Sequence, residues 1–160
     1  MKYMKKIKEI YYSFTTFFRN LKLFWKVLRN YHWWDYQHVI DANIVMFKDM
    51  AEHFENEGSH ISNKKVAANI RELVKLLEKD IETEAYEKCK SIEDINKRSF
   101  KEGAMIDKHK KSIARLLFGP TYKQQCIQQD KMIQAIEQGM SQEEAILKYI
   151  DYTGIENWWD

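Results

Sequence analysis

Aromatic and imidazole side chains are concentrated in one short stretch of the sequence, residues 31–38. Exposed aromatic rings stack on nucleobases, and a neighbouring carboxylate can accept hydrogen bonds from a ribose hydroxyl or a purine amino group. We interpret five side chains of this stretch as candidate ligand-binding residues: Trp33, Trp34, Asp35, Tyr36 and His38. The alternative is structural, because Trp is highly buried on average and the two Trp side chains could cap the point where two helices meet.

Two cations, Arg71 and Lys75, lie four residues apart in a segment with helical periodicity, so both project from one face of the predicted helix. Guanidinium and ammonium groups form strong, charge-assisted hydrogen bonds with phosphate oxygens. If this helix runs antiparallel to the helix that begins near His38, the cations and the aromatic stretch could line one pocket. We therefore predict that Arg71 and Lys75 bind the phosphates of a ligand whose base stacks on Trp34.

A second group of cations recurs at four-, seven-, three- and four-residue spacing in a later segment. Helical periodicity places the group on one face, and we name it the basic stripe: Lys97, Lys101, Lys108, Lys111 and Arg115. A stripe of this kind suits phosphate contacts. A solvated helix face has the same pattern, so the basic stripe is the secondary candidate.

The sequence lacks the motifs of the common enzyme classes, among them the phosphate-binding glycine loop, the zinc-protease helix and the serine-hydrolase elbow. His53 lies among acids without the three or four converging ligands that a metal requires. Glu78, Glu82 and Glu84 have the spacing of a helical magnesium site, but lysines interleave with them, which favours a solvated face. We predict no enzyme activity, no catalytic residue, no metal and no cofactor.

The sequence has one Pro and five Gly among 160 residues. Such a low content of helix-breaking residues is typical of long helices. Apolar residues recur three and four positions apart in six segments, and no segment alternates as a strand does. We predict an all-α fold: an antiparallel helical bundle of about four long helices with a C-terminal helical hairpin. A single domain is expected, with residues 1–118 as the four-helix core and residues 119–160 as the hairpin and aromatic tail.

Capping residues and stripes set the predicted helix boundaries. Asp35 is predicted as the N-cap of the second helix. The stripe of the third helix continues without interruption from about Asn63 to Tyr86. The fourth helix is predicted to begin at Ser91, which opens a capping-box pattern, and a second such pattern begins the last helix at Ser141.

The N-terminal segment, residues 3–29, combines an apolar and aromatic stripe with a strongly basic polar face. Over residues 1–31 the acidic side chain is Glu9 alone, against eight cations: Lys2, Lys5, Lys6, Lys8, Arg19, Lys22, Lys26 and Arg29. A basic amphipathic helix can lie on a membrane surface. It can also be a core helix whose lysine stems run along its flanks, which is the interpretation we favour. The stripe is therefore expected to be buried, with no stable membrane insertion.

Four parts of the sequence together resemble one family of proteins. They are residues 33–36, the turn at 54–60, the helix at 64–71 and the C-terminal residues 158–160. In this order they are similar to small uncharacterised helical proteins of tailed bacteriophages. The resemblance covers most of residues 20–90 and the last few positions. It implies a protein made in the host bacterial cytoplasm, and it transfers no catalytic residue.

The resemblance shifts the expected function towards binding. We expect a non-enzymatic binding protein that sequesters a nucleotide-type host immune signal, that is, an anti-defence sponge. The alternatives are a protein–protein inhibitor of a host factor, a peripheral membrane or structural phage accessory protein and, last, a helical nucleotide hydrolase. The expected partners are a nucleotide-derived small molecule, a host protein or a second copy in a homo-oligomer, and no sequence-specific nucleic acid.

Overall fold

The structure, a computed structural model, describes residues 2–30, 37–56 and 62–155, with side chains from Met4 onward. Within these ranges the chain forms helices and no strand, which confirms the all-α class. The helices are α1 (Lys2–Arg29), α2 (Gln37–Asn56), α3 (Asn63–Leu77), α4 (Ile81–Cys89), α5 (Ile95–Phe118), α6 (Tyr122–Glu137) and α7 (Gln142–Tyr149). The bundle of about four long helices stays a prediction, as does the predicted N-cap Asp35, which lies outside the described residues.

The chain divides into two compact units, one over residues 1–46 and one over residues 47–160. The first unit holds α1 and the first half of α2, and the second holds the rest of α2 together with α3 to α7. In the second unit α5 packs against α3 and α4, and α6 packs against α7. The grouping of residues 1–118 as one core and 119–160 as a hairpin stays a prediction.

The core of the second unit is organised around α3. Its largest fully buried side chains are Val66, Ile70 and Leu73, which recur at four- and three-residue spacing and so lie on one side of the helix. Burying an aliphatic side chain of this size stabilises the fold by about 1.5–3 kcal/mol. Ala85 and Leu116 supply further buried surface from α4 and α5.

A lysine of α3 also holds the end of α7. The ammonium group of Lys65 donates to the carbonyl oxygens of Leu147 at 3.0 Å and Ile150 at 2.6 Å, and it lies 5.4 Å from the ring centre of Tyr152. The last carbonyls of a helix have no partner within it and carry partial negative charge. Lys65 therefore caps α7 from α3 and ties the C-terminal pair of helices to the core.

The prediction of one uninterrupted third helix is wrong, because α3 ends at Leu77 and α4 begins at Ile81. Asp80 is the reason. Its carboxylate accepts a hydrogen bond from the backbone N–H of Thr83 at 3.1 Å, and this bond lowers the pKa of Asp80. An aspartate that satisfies the free amides of a first turn starts a new helix.

The predicted start of the next helix at Ser91 is also wrong. Helix α5 begins at Ile95, and Asp94 is its N-cap. The Oδ1 atom of Asp94 accepts from the backbone N–H groups of Asn96 at 3.0 Å and Lys97 at 3.1 Å. A carboxylate that accepts two amides competes well with a serine hydroxyl three residues earlier, so the helix starts later than the capping-box pattern predicts.

Local sequence signals account for the end of the sixth helix and the start of the seventh. Helix α6 spans Tyr122–Glu137. Gly139 follows it with a φ of +95°, a conformation that favours glycine. The hydroxyl of Ser141 accepts from the backbone N–H of Glu144 at 3.2 Å, which confirms Ser141 as the N-cap of α7.

The prediction that the aromatic stripe of α1 is buried is wrong. Most of its large side chains are more than half exposed, with Met4 at 67%, Phe14 at 60% and Trp25 at 56%. Periodicity defines an apolar face but does not say what covers it, which is why the sequence could not decide this point. None of the helices in the described ranges combines the length and the apolar character needed to cross a bilayer.

A contact between two glycine backbones joins the C-terminal segment to the end of α5. The N–H of Gly154 donates to the carbonyl oxygen of Leu116 at 2.9 Å. Gly154 has a φ of +94°, and a Cβ atom added there would lie 2.9 Å from the Cα atom of Gly119. Only a residue without a side chain fits this position.

Gly154→Ala is expected to lower the free energy of unfolding by about 2–4 kcal/mol, because it adds left-handed strain and a clash with backbone. Gly103→Ala is the matched control. It lies inside α5 with no atom within 4 Å of the added Cβ, so we expect a gain of about 0.5–1 kcal/mol. Urea denaturation followed by far-UV circular dichroism measures both changes. Equal unfolding midpoints for Gly154→Ala and wild type would contradict the contact.

Candidate functional site

The second half of α2 and α3 enclose a groove with a volume of about 300 Å³, which we name the α2–α3 groove. Its lining residues are Lys48, Ala51, Glu52, Arg71, Val74, Lys75 and Glu78. Ala51 and Val74 are buried and give the groove an apolar floor, and the other five are exposed and carry charge. A volume of about 300 Å³ lies at the lower end of the range for small-molecule sites.

Two ion pairs show how the walls of the groove face each other. The ammonium group of Lys48 donates to Glu78 Oε1 at 2.6 Å, and the guanidinium of Arg71 donates to Glu55. On each helix the paired residues are seven positions apart, and their order is reversed. This part of α2 therefore runs antiparallel to α3, which is the arrangement that the prediction of a shared pocket requires.

Two charged groups in the groove have no ion-pair partner among the described residues, the ammonium group of Lys75 and the carboxylate of Glu52. The two existing pairs are about half exposed at each member. Exposed pairs of this kind contribute about 0–1 kcal/mol each, so a ligand can take over one partner at small cost. Among the residues that the structure describes, the groove thus offers one cation without an ion-pair partner and two cations whose partners are exchangeable.

Two of the predicted ligand-binding residues, Arg71 and Lys75, are brought together by the structure in this groove. Trp33, Trp34, Asp35 and Tyr36 lie outside the described residues. His38 belongs to the other compact unit, residues 1–46, and is buried there. The pocket that combines an aromatic wall with the cations therefore stays a prediction.

The groove is also lined by Lys48, Glu52 and Glu78, none of which the sequence predicted as a ligand-binding residue. The order of charges along the two helices does contain a signal that could have identified Lys48 and Glu78. Lys48 and Glu55 on α2 mirror Glu78 and Arg71 on α3 about an antiparallel axis. Complementary charges at equal spacing on adjacent helices indicate pairing and register.

The basic stripe of α5 is largely neutralised by acids. Three of its cations pair with carboxylates: Lys97 with Asp94 at 3.8 Å, Lys111 with Asp107 at 2.7 Å and Arg115 with Asp151 at 3.1 Å. Asp107 raises the pKa of Lys111 through this hydrogen bond. Lys101 and Lys108 have no ion-pair partner in the described ranges.

A depression of about 420 Å³ lies beside the basic stripe, and all of its lining residues belong to α5: Ala104, Asp107, Lys108, Lys111, Ser112 and Arg115. A concavity lined by a single helix has no second wall to bury a ligand. Ligand sites usually bury most of the ligand surface. The α2–α3 groove is therefore the better enclosed of the two candidates, and a role for the stripe in binding stays a prediction.

The glutamates with magnesium-like spacing do not converge. Glu84 accepts hydrogen bonds from Lys79 and Lys88, which lower its pKa to about 2. A carboxylate held between two lysines suits the solvated, ion-paired face that the sequence favoured. Across the part of the chain that the structure describes, no three side chains of His, Cys, Asp or Glu gather as metal ligands.

Asp151 explains why Arg115 is not a free cation. Its carboxylate accepts from Arg115 at 3.1 Å and from the backbone N–H of Thr153 at 3.0 Å, and its own N–H donates to Gln128 at 3.2 Å. Burial disfavours the charged form of Asp151, but the hydrogen bonds from Thr153 and Arg115 outweigh it and lower the pKa. Arg115 thus helps to hold the C-terminal segment against α5 and α6.

Asp151→Ala is expected to lower the free energy of unfolding at pH 7 by about 1–2 kcal/mol, since it removes a charge-assisted bond and frees a buried amide. The lowered pKa means that the carboxylate stabilises the fold above its unfolded-state pKa of about 3.9 and loses this effect as the pH falls through the folded value. The difference from wild type should therefore shrink below about pH 4. Urea denaturation across this pH range tests it.

Lys108→Ala is the control for Asp151→Ala, because Lys108 is exposed and unpaired in the described ranges and should change stability by less than about 0.5 kcal/mol. A difference between Asp151→Ala and wild type that is constant from neutral to acid pH would contradict the role of the ionised carboxylate.

Comparisons with known proteins assign no role to this chain, so its function is argued from the residues described above. No protein-family model, no curated protein and no solved structure matches this chain. The resemblance to small bacteriophage proteins therefore stays a prediction. The site is defined by its geometry alone: two antiparallel helices, an apolar floor and charges of both signs.

Proposed function

We propose that this chain is a non-enzymatic binding protein that takes a small phosphate-bearing ligand of the nucleotide class in the α2–α3 groove. The observation that supports it is the position of Arg71 and Lys75, which line one groove together with Lys48 over a floor of Ala51 and Val74. In the bacteriophage setting that the resemblance implies, such binding sequesters a host immune signal without turnover.

The cations of the groove can reach a phosphate without large rearrangement. Lys75 is exposed and has no ion-pair partner among the described residues. Arg71 uses one of its nitrogens for Glu55, and a guanidinium has five N–H donors in a fixed fork. A phosphate can therefore bind Lys75 and the remaining donors of Arg71 while the contact with Glu55 persists.

The two acidic residues of the groove restrict how much negative charge a ligand can carry. Glu52 and Glu78 place two carboxylates beside the cations, which disfavours a ligand with many negative charges. Carboxylates accept hydrogen bonds from hydroxyl and amino groups, such as those of a ribose or a nucleobase. The groove is best matched by one or two phosphates next to a polar, hydrogen-bond-donating part. Stacking on Trp34 remains part of the proposal.

An inhibitor of a host protein is the second candidate function, and one surface feature favours it. Phe118 and Tyr122, on either side of the turn between α5 and α6, are 81% and 82% exposed. Exposed aromatic side chains are typical anchors of protein interfaces. This candidate requires binding through the turn and leaves the groove without a role.

Lys75→Ala and Arg71→Ala are each expected to weaken ligand binding by about one to two decades, because a charge-assisted phosphate contact contributes about 1.5–3 kcal/mol. Glu52→Gln should strengthen binding about fivefold, since removing one nearby like charge is worth on the order of 1 kcal/mol in water. Calorimetric titration with cyclic dinucleotides and ADP-ribose derivatives measures these changes. The side chains of Lys75, Arg71 and Glu52 are all exposed, so the melting temperature of each variant should equal that of wild type.

Lys64→Ala is the matched control, since Lys64 is an exposed lysine of α3 that does not line the groove. It should bind the ligand as wild type does. Absence of binding by wild type would end the nucleotide proposal. Binding that responds equally to Lys64→Ala and Lys75→Ala would instead reflect overall charge and exclude the groove as the site.

A further inference from the structure

One side of α1 carries a continuous row of exposed apolar residues, which we name the apolar face of α1: Met4, Ile7, Ile10, Phe14, Phe17, Phe18, Trp25 and Leu28. Three- and four-residue spacing places them on one side of the helix. Each is between 53% and 67% exposed. With 28 residues, α1 is about 42 Å long, so the face is an extended strip.

Three aromatic rings form the middle of this strip. The rings of Phe14 and Phe18 are 6.3 Å apart and stacked, and those of Phe17 and Phe18 are 5.4 Å apart and edge to face. Although these rings contact one another, each remains about 60% exposed. Proteins that stay monomeric rarely expose a contiguous apolar surface of more than a few hundred Å², so a strip of this kind marks an interaction surface.

The charge of α1 selects the kind of partner. Its eight cations oppose Glu9 alone, and helical spacing places Lys6, Lys22 and Arg29 at the borders of the apolar face. A second copy of α1 on this face would bring two strongly basic helices side by side. An anionic surface instead attracts the cations at the same time as it covers the apolar residues.

We propose that α1 lies in the surface of an anionic lipid bilayer, with its apolar face between headgroups and acyl chains and its cations at the headgroup level. A helix with an apolar and aromatic side, a lysine-rich polar side and low overall hydrophobicity lies in the plane of the interface. Trp25 is suited to this depth, since indole rings prefer the membrane–water boundary. The proposal concerns α1 alone and does not rest on the α2–α3 groove.

Lysine stems explain how one helix satisfies both requirements. A lysine at the border of the face can lie along the apolar surface and still place its ammonium group among lipid phosphates. Each such cation near an anionic surface strengthens binding about fivefold. The apolar face then supplies binding that salt does not screen, whereas the cations supply the part that salt weakens.

The test is flotation of the full chain with vesicles of phosphatidylcholine, with and without about 30% phosphatidylserine, at salt concentrations of about 50 and 500 mM. We expect binding to the anionic vesicles at low salt, weaker binding at high salt and little binding to neutral vesicles. Phe14→Asn combined with Phe18→Asn should lower the partition coefficient at least about tenfold, because two aromatic rings no longer enter the interface.

Tyr12→Asn is the matched control for the double variant. Tyr12 is an aromatic residue of α1 with 72% exposure, and helical spacing places it on the side away from Phe14 and Phe18. It should bind vesicles as wild type does. All three side chains are exposed, so circular dichroism should show the same helix content for every variant.

Three results would overturn the proposal. The first is no flotation with anionic vesicles at low salt. The second is equal flotation of the double variant and wild type. The third is a dimer in sedimentation velocity that Phe14→Asn with Phe18→Asn dissociates while wild type fails to bind vesicles, which would assign the apolar face of α1 to a second copy of the chain.

Discussion

The burial of one side of α3 is the constraint on which the second compact unit depends. Val66, Ile70 and Leu73 must face the core, because exposing them would forfeit several kcal/mol of hydrophobic stabilisation. A helix with one side fixed in this way has its opposite side fixed as well. Arg71 and Lys75 therefore point away from the core, and the core packing positions the candidate site.

Polar contacts complete what the apolar core begins. Lys65 caps α7 from α3, and Asp151 joins the C-terminal segment to Arg115 on α5 and Gln128 on α6. These contacts use charged groups where backbone carbonyls and amides lack helical partners. Part of the charge of the chain is thus structural, which leaves fewer cations for a ligand than the sequence suggests.

The sequence predicts the helices well and their surroundings poorly. The all-α class and the N-cap Ser141 follow from local spacing and local hydrogen bonds, which a linear sequence records directly. The break at Asp80 was missed because the apolar stripe continues through it, and the cap decides the boundary. The exposure of Phe14 was missed because a periodic stripe has the same form whether or not anything covers it.

In the candidate site, too, the sequence predicts local features and misses those that depend on the tertiary structure. The spacing of Arg71 and Lys75 predicted that they share a helix face, and both residues line the α2–α3 groove. The pairing of Arg71 with Glu55 depends on two helices that come together only in the fold. Charge order on adjacent helices carries this information, but it can be used only once the antiparallel register is known.

The contact between Gly119 and Gly154 also bears on how the sequence can vary. Main chain lies against main chain there, so no flexible side chain can move aside to admit a Cβ atom. The turn at Gly139 has open space around it, and an insertion there would extend into solvent. Among homologous chains, changes of length between α6 and α7 should be common, whereas residue 154 should remain glycine wherever the end of α5 is retained.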